Sequence, residues 1–125
     1  MSSHIKDSAF KGADFQHKEL PNTLVYIGDM AFEGCTALEE ITIPYTVAYL
    51  GKDAFKGCTN LKVVIFEEET EGGISVIRTG TFAGCPNLKK VVFSSKLEYI
   101  EKHAFDTYFK VPEFTAVDRD AFTPT

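Results

Sequence analysis

The chain has 125 residues, 44% hydrophobic and 25% charged, which suits one folded domain spanning residues 1–125. A net charge of −5, from 13 Lys and Arg against 18 Asp and Glu, argues against the clustered cations that nucleic acid requires. Three cysteines is an odd number, which excludes a complete disulfide framework and points to thiols in a reducing compartment.

The chain opens Met1-Ser2-Ser3-His4-Ile5-Lys6, without the apolar segment of a secretory leader. No later apolar run approaches membrane-spanning length. The expectation from the sequence as it stands is a cytoplasmic chain with no membrane insertion.

From Ile5 onward the sequence repeats itself. Phe10, Phe32, Phe55, Phe82, Phe105 and Phe122 mark the phase, each preceded by Ala or, at Thr81, by Thr. Two residues after the ring stands Gly12, Gly34, Gly57 or Gly84, and three after it Cys35, Cys58 or Cys85. Six after it stands Leu38, Leu61 or Leu88. Apolar pairs follow at Ile41/Ile43, Val64/Phe66 and Val91/Phe93. Five residues before the ring comes Ile5, Ile27, Leu50, Ile77, Ile100 or Val117. The unit reads Ile-x-x-x-Ala-Phe-x-Gly-Cys-x-x-Leu-x-x-Ile-x-Ile, about 23 residues long. The pattern predicts about five units with irregular ends, as stacked repeats need at their caps.

The alternation closing each unit predicts a strand with one buried face. In-register parallel stacking of such strands would set equivalent side chains about 4.8 Å apart. The expected core is therefore a set of ladders: Phe10, Phe32, Phe55, Phe82 and Phe105; Cys35, Cys58 and Cys85; Leu38, Leu61 and Leu88. The Ala-Phe-x-Gly-Cys segment predicts a single helical turn, with Asp7, Asp29, Asp53 or Asp120 as its cap and the glycine as its end. The third unit carries four extra residues within Glu67 to Gly73, after which Ile74 takes the place of Val47. In the compressed last unit, Val111-Pro112 reads either as the Ile-Pro of Ile43-Pro44 or with Val111 as the leucine.

No catalytic constellation emerges. His4, His17 and His103 fall at unrelated phases, with no nucleophile or carboxylate repeating beside them. The cysteine spacing follows the repeat and lacks the close ligand pairs of metal motifs, so a buried ladder is expected, with no metal and no cofactor. Three groups remain for binding. Tyr26, Tyr49 and Tyr99 lie six residues before a repeat Phe, with Val76 in the fourth slot. They read as an outward aromatic row, serving either as a ladder between neighbouring strands or as a contact stripe. The solvent side of the strands offers Glu40, Thr42, Val63, Ile65, Lys90 and Val92. The insertion offers Glu67, Glu68 and Glu69, either a solvated loop or a contact for a basic partner.

The runs Gly28-Asp29-Met30-Ala31-Phe32-Glu33-Gly34-Cys35-Thr36-Ala37-Leu38, Gly51-Lys52-Asp53-Ala54-Phe55-Lys56-Gly57-Cys58-Thr59-Asn60-Leu61 and Thr81-Phe82-Ala83-Gly84-Cys85-Pro86-Asn87-Leu88 resemble the BspA-like, or Treponema pallidum type, leucine-rich repeats. The resemblance covers roughly Ile5 to Phe122. It implies an α/β leucine-rich repeat solenoid, strand-rich overall, a right-handed superhelix with parallel β-strands on one face and short helical or 3-10 turns on the other. It also implies a cell-surface or secreted role in adhesion, by binding a protein or glycan. The expected function is thus a non-catalytic binding module. The alternative is a structural unit that forms homo-oligomers through the open strand edges at its ends, or a fragment of a longer array.

Overall fold

A computed structural model of the chain describes residues 3–125; the Met1-Ser2 start lies outside them. Nine short strands follow one another: β1 His4–Ile5, β2 Tyr26–Ile27, β3 Glu40–Ile43, β4 Tyr49–Leu50, β5 Val63–Phe66, β6 Val76–Ile77, β7 Lys90–Val92, β8 Tyr99–Ile100 and β9 Ala116–Val117. All strand pairs are parallel, in the orders β1-β2-β4, β3-β5-β7 and β6-β8-β9. The alternating ends of the units form the β3-β5-β7 sheet. The Tyr-Ile segments form a second row of two-residue strands, which the single-faced expectation lacked.

The expected helical turns are not there: no helix occurs among the described residues. The backbone gives the reason. Two residues before the ring, Ser8, Met30, Asp53, Gly80 and His103 have φ of 56–73°, and two after it Gly12, Gly34, Gly57 and Gly84 have φ of 68–74°. Two left-handed residues in each of the first four turns, and one in the fifth, stop a right-handed helical run there. The amide groups bond between units. Phe10 donates to the Ala31 carbonyl, Phe32 to Ala54, Phe55 to Thr81, Phe82 to Ala104 and Phe105 to Ala121, at 2.7–3.0 Å.

The aspartates do not cap their own turns either. Asp7 Oδ1 accepts the Asp29 N–H of the next unit at 2.9 Å, and Asp29 Oδ1 accepts the Lys52 N–H at 2.9 Å. Asp53 is itself left-handed, and the Asp120 N–H donates to Asp118 Oδ1. These clamps need bare glycines opposite them. A Cβ on Gly28 would lie 2.3 Å from Asp7 Oδ1, and one on Gly51 would lie 2.5 Å from the Asp29 nitrogen.

The core lies between the two rows of strands and the turns. Phe32, Phe55, Phe82 and Phe105 are 0–1% exposed, whereas Phe10 and Phe122 at the ends are half-buried. Successive rings from Phe10 to Phe122 stack at 5.0–5.7 Å between centroids. Leu38, Leu61 and Leu88 are buried beside them. The Thr115 N–H donates to the Pro112 carbonyl as Leu24 does to Pro21 and Val47 to Pro44, so Val111-Pro112 takes the Ile-Pro place.

The insertion interrupts the second row between β4 and β6. The carbonyls of Ile27, Ile77 and Ile100 accept the N–H of Gly51, Glu101 and Asp118, but that of Leu50 accepts Arg78 Nη1 at 3.2 Å. The buried Thr81 hydroxyl, standing where other units carry Ala, donates to the Arg78 carbonyl at 2.7 Å and also lies 3.2 Å from the Gly51 carbonyl. The guanidinium thus satisfies a carbonyl that would otherwise be stranded at the break.

Candidate interaction surfaces

The β3-β5-β7 sheet presents a small grid to solvent. Register sets Glu40, Val63 and Lys90 in one row, and Thr42, Ile65 and Val92 in the next. Strand alternation turns Ile41, Ile43, Val64 and Phe66 into the core, which leaves these six outside. Ile65 is 37% and Val92 41% exposed, with Thr42 and Val63 half-buried beside Ile65. Charged pairs border the patch: Lys18 lies 4.0 Å from Glu40 and Lys62 lies 3.1 Å from Glu39. Such exposed pairs contribute about 0–1 kcal/mol each and serve mainly to frame the apolar middle.

The tyrosines are divided between two settings. Tyr26 and Tyr49 stack at 4.8 Å with rings 9° apart, His4 stacks on Tyr26 at 5.4 Å, and Arg78 places its guanidinium 4.1 Å from the centre of the Tyr49 ring. Both tyrosines are half-buried and their hydroxyls point into the clamps: Tyr26 donates to Asp7 Oδ1 at 3.2 Å and Tyr49 to Asp29 Oδ1 at 2.8 Å. Burial first, and then the Asp29 carboxylate, push the Tyr49 phenol up to about 12; burial and Asp7 raise Tyr26. Val76 and the insertion separate Tyr99, which is exposed and 3.5 Å from Asp118 Oδ2. The row is therefore not a continuous stripe. The sequence reading missed His4 as its first member and Arg78 as its cap, although both sit beside the Tyr phase, at six and four residues before their rings.

The acidic insertion folds back on the next unit. Glu69 and Gly72 exchange backbone hydrogen bonds at 2.9 and 3.1 Å, which closes a tight hairpin. Glu68 accepts the Ser95 N–H at 3.0 Å and the Ser95 hydroxyl, and Lys96 Nζ reaches the Thr70 carbonyl. The Ser95 hydrogen bonds hold the Glu68 carboxyl below the usual range. Glu67 and Glu69 remain exposed.

Cys35, Cys58 and Cys85 are buried free thiols that donate to the carbonyls of Phe10, Phe32 and Phe55 at 3.1–3.2 Å. Burial pushes Cys58 and Cys85 up to about 12 and raises Cys35. Neutral thiols of this kind are poor nucleophiles and poor metal ligands. Among the described residues, no group of three or more His, Cys, Asp or Glu stands together as a metal site.

The comparisons with known proteins agree with the repeat. A search of curated proteins finds no match. The crystal structure of a leucine-rich repeat protein from Eubacterium ventriosum is similar, with a TM-score of 0.61 at 20% identity, covering 98% of this chain and 43% of that one. The chain thus spans less than half the length of that protein, and the likeness is one of fold. The family model for the BspA type leucine rich repeat region matches six copies over residues 3–123, against the five or so units read from the sequence. With a Phe ladder in phase from Phe10 to Phe122 and a family match over almost its whole length, the chain belongs to the BspA-type leucine-rich repeat family.

Proposed function

We propose that the chain is a non-catalytic interaction module that holds a protein partner on the solvent side of the β3-β5-β7 sheet. The exposure of Ile65 and Val92, side by side in register on a rigid parallel ladder, carries this reading. Elsewhere the residues that recur in phase have internal work: rings and thiols fill the core, and the Tyr26 and Tyr49 hydroxyls close clamps between units. An apolar centre framed by ion pairs suits a protein contact, where buried apolar groups lie inside a polar rim. Repeat stacks commonly bind through such extended faces. An adhesion-type role rests on the family resemblance alone.

The test is differential capture. Immobilised wild type, an Ile65→Glu/Val92→Glu variant and a Tyr99→Ser variant are offered to cell-surface protein extracts and to a glycan array. The reading expects a protein retained by wild type and by Tyr99→Ser, and lost with the charged double variant. Equal retention by the double variant, or selective loss with Tyr99→Ser, overturns the strand-face assignment.

A further inference from the structure

The two ends of the stack match each other. In the interior, each repeat Phe N–H donates to the residue before the Phe of the next unit. That direction leaves the Ala9 carbonyl facing out of the first end and the Phe122 N–H facing out of the last, neither with a partner among the described residues. The strand row runs in the opposite sense, since Gly28 donates to Ile5 and Asp118 to Ile100. Among the described residues it leaves without partners the Lys6 N–H at the first end and the Val117 carbonyl at the last. A second copy translated along the stack axis would set donor against acceptor at both places, Phe122 to Ala9 and Lys6 to Val117.

Side chains follow the same register. Ile5 and Phe10 are half-buried at the first end, where Ile27 and Phe32 one unit inward are 0% exposed. Ile5, Phe10, Phe15, Leu20, Pro21 and Leu24 line an open, mostly apolar cavity of about 540 Å³ there. At the last end Val117 is 36% and Tyr108 73% exposed beside the half-buried Phe122. Translation would place Phe122 over Phe10 and Val117 over Ile5, which extends both ladders. Charge completes the match. Four residues before the ring stand Lys6 at the first end and Asp118 at the last; three before it stand Asp7 and Arg119. Both pairs are opposite in sign when the last end meets the first.

We propose that copies of this chain associate head to tail, the Phe122 end of one docking on the Phe10 end of the next. This surface is separate from the β3-β5-β7 face, so the two readings stand or fall independently. A contact between unlike ends does not close on itself in a pair, so growth continues to a filament or ring.

Sedimentation velocity at low salt tests it with four proteins: wild type, Lys6→Glu, Arg119→Glu and Asp118→Lys. Wild type is expected to gain mass steadily with concentration and to lose that gain in high salt. Lys6→Glu and Arg119→Glu each oppose like charges across the contact and should weaken association at least about tenfold. Asp118→Lys alone should fail in the same way, but mixed with Lys6→Glu it restores an attractive pair at every contact, so the mixture should grow as an alternating chain. A monomeric wild type up to millimolar concentration overturns the proposal, as does a Lys6→Glu protein that associates like wild type, or a closed dimer insensitive to either charge. Circular dichroism reports whether Asp118→Lys folds. If it does not, wild type against Lys6→Glu and Arg119→Glu decides the matter.

Discussion

The Tyr49 hydroxyl donates a 2.8 Å hydrogen bond to Asp29 Oδ1, the same oxygen that accepts the Lys52 N–H, so one carboxylate ties a side chain and the backbone of the next unit to its own. Removing the hydroxyl leaves the carboxylate one partner short in a half-buried position. Tyr49→Phe should therefore destabilise by about 1–2 kcal/mol, near the range for a hydrogen bond to a charged group. Tyr99→Ser, whose ring is exposed and whose hydroxyl is 3.5 Å from Asp118, should cost clearly less. Urea unfolding of the two variants checks the order; a larger loss at Tyr99 would put the anchoring tyrosine in the wrong unit.

The same bond sets an alkaline limit. Burial and Asp29 raise the Tyr49 phenol from 10.0 to about 12, so the folded chain keeps this proton after the unfolded chain has lost it. The stability linked to it is whole below pH 10 and declines as pH rises from 10 towards 12. Tyr26 and Tyr99 are shifted in the same direction and add to the decline. Absorbance titration near 295 nm should show a late phenolate step that Tyr49→Phe diminishes, and thermal midpoints should fall over the same interval.

Gly51 and Gly12 separate two uses of glycine. A Cβ at Gly51 would lie 2.5 Å from the backbone of Asp29, whereas one at Gly12 meets nothing within 4 Å and strains only a φ of +71°. Gly51→Ala must push two units apart and should cost about 1–3 kcal/mol, as overpacking does. Gly12→Ala should cost about 1 kcal/mol, the left-handed penalty. Equal losses in thermal denaturation would contradict the close approach at the Asp29 clamp.

The thiol ladder gives a chemical test. With Cys58 and Cys85 pushed up to about 12 and all three thiols buried, a colorimetric thiol reagent at neutral pH should label none of them in the folded chain and all three in urea. Rapid labelling of Cys58 in the folded state would show that the ladder faces water.

The core was legible in the sequence because stacking makes equivalent positions neighbours: any residue type recurring every 23 or so residues meets its own kind. Phe55 between Phe32 and Phe82, and Cys58 between Cys35 and Cys85, follow from phase alone. The turn was misread because Ala-Phe-x-Gly resembles a capped helical turn locally. Nothing local says that Met30, Asp53 and His103 take left-handed φ, which is imposed by hydrogen bonds to the next unit. The aspartates were read as caps for the same reason, though Gly28 opposite Asp7 and Gly51 opposite Asp29 carried the signal of a close approach. Arg78 was invisible because its role exists only where the insertion breaks the strand row. The strand face could be read from alternation, but the pairing of Ile65 with Val92 needed the register.

The recurring residues of the stack hold its units together, and the surfaces left over are available to partners. Phe55 lies at its centre, 0% exposed and stacked between Phe32 at 5.0 Å and Phe82 at 5.5 Å. The unfolding free energy of Phe55→Ala in urea, measured against wild type, tests this most directly. A loss of about 3–5 kcal/mol is predicted for emptying a buried ring site. A loss below about 1 kcal/mol, the size typical of a surface substitution, would contradict the ladder and the register built on it.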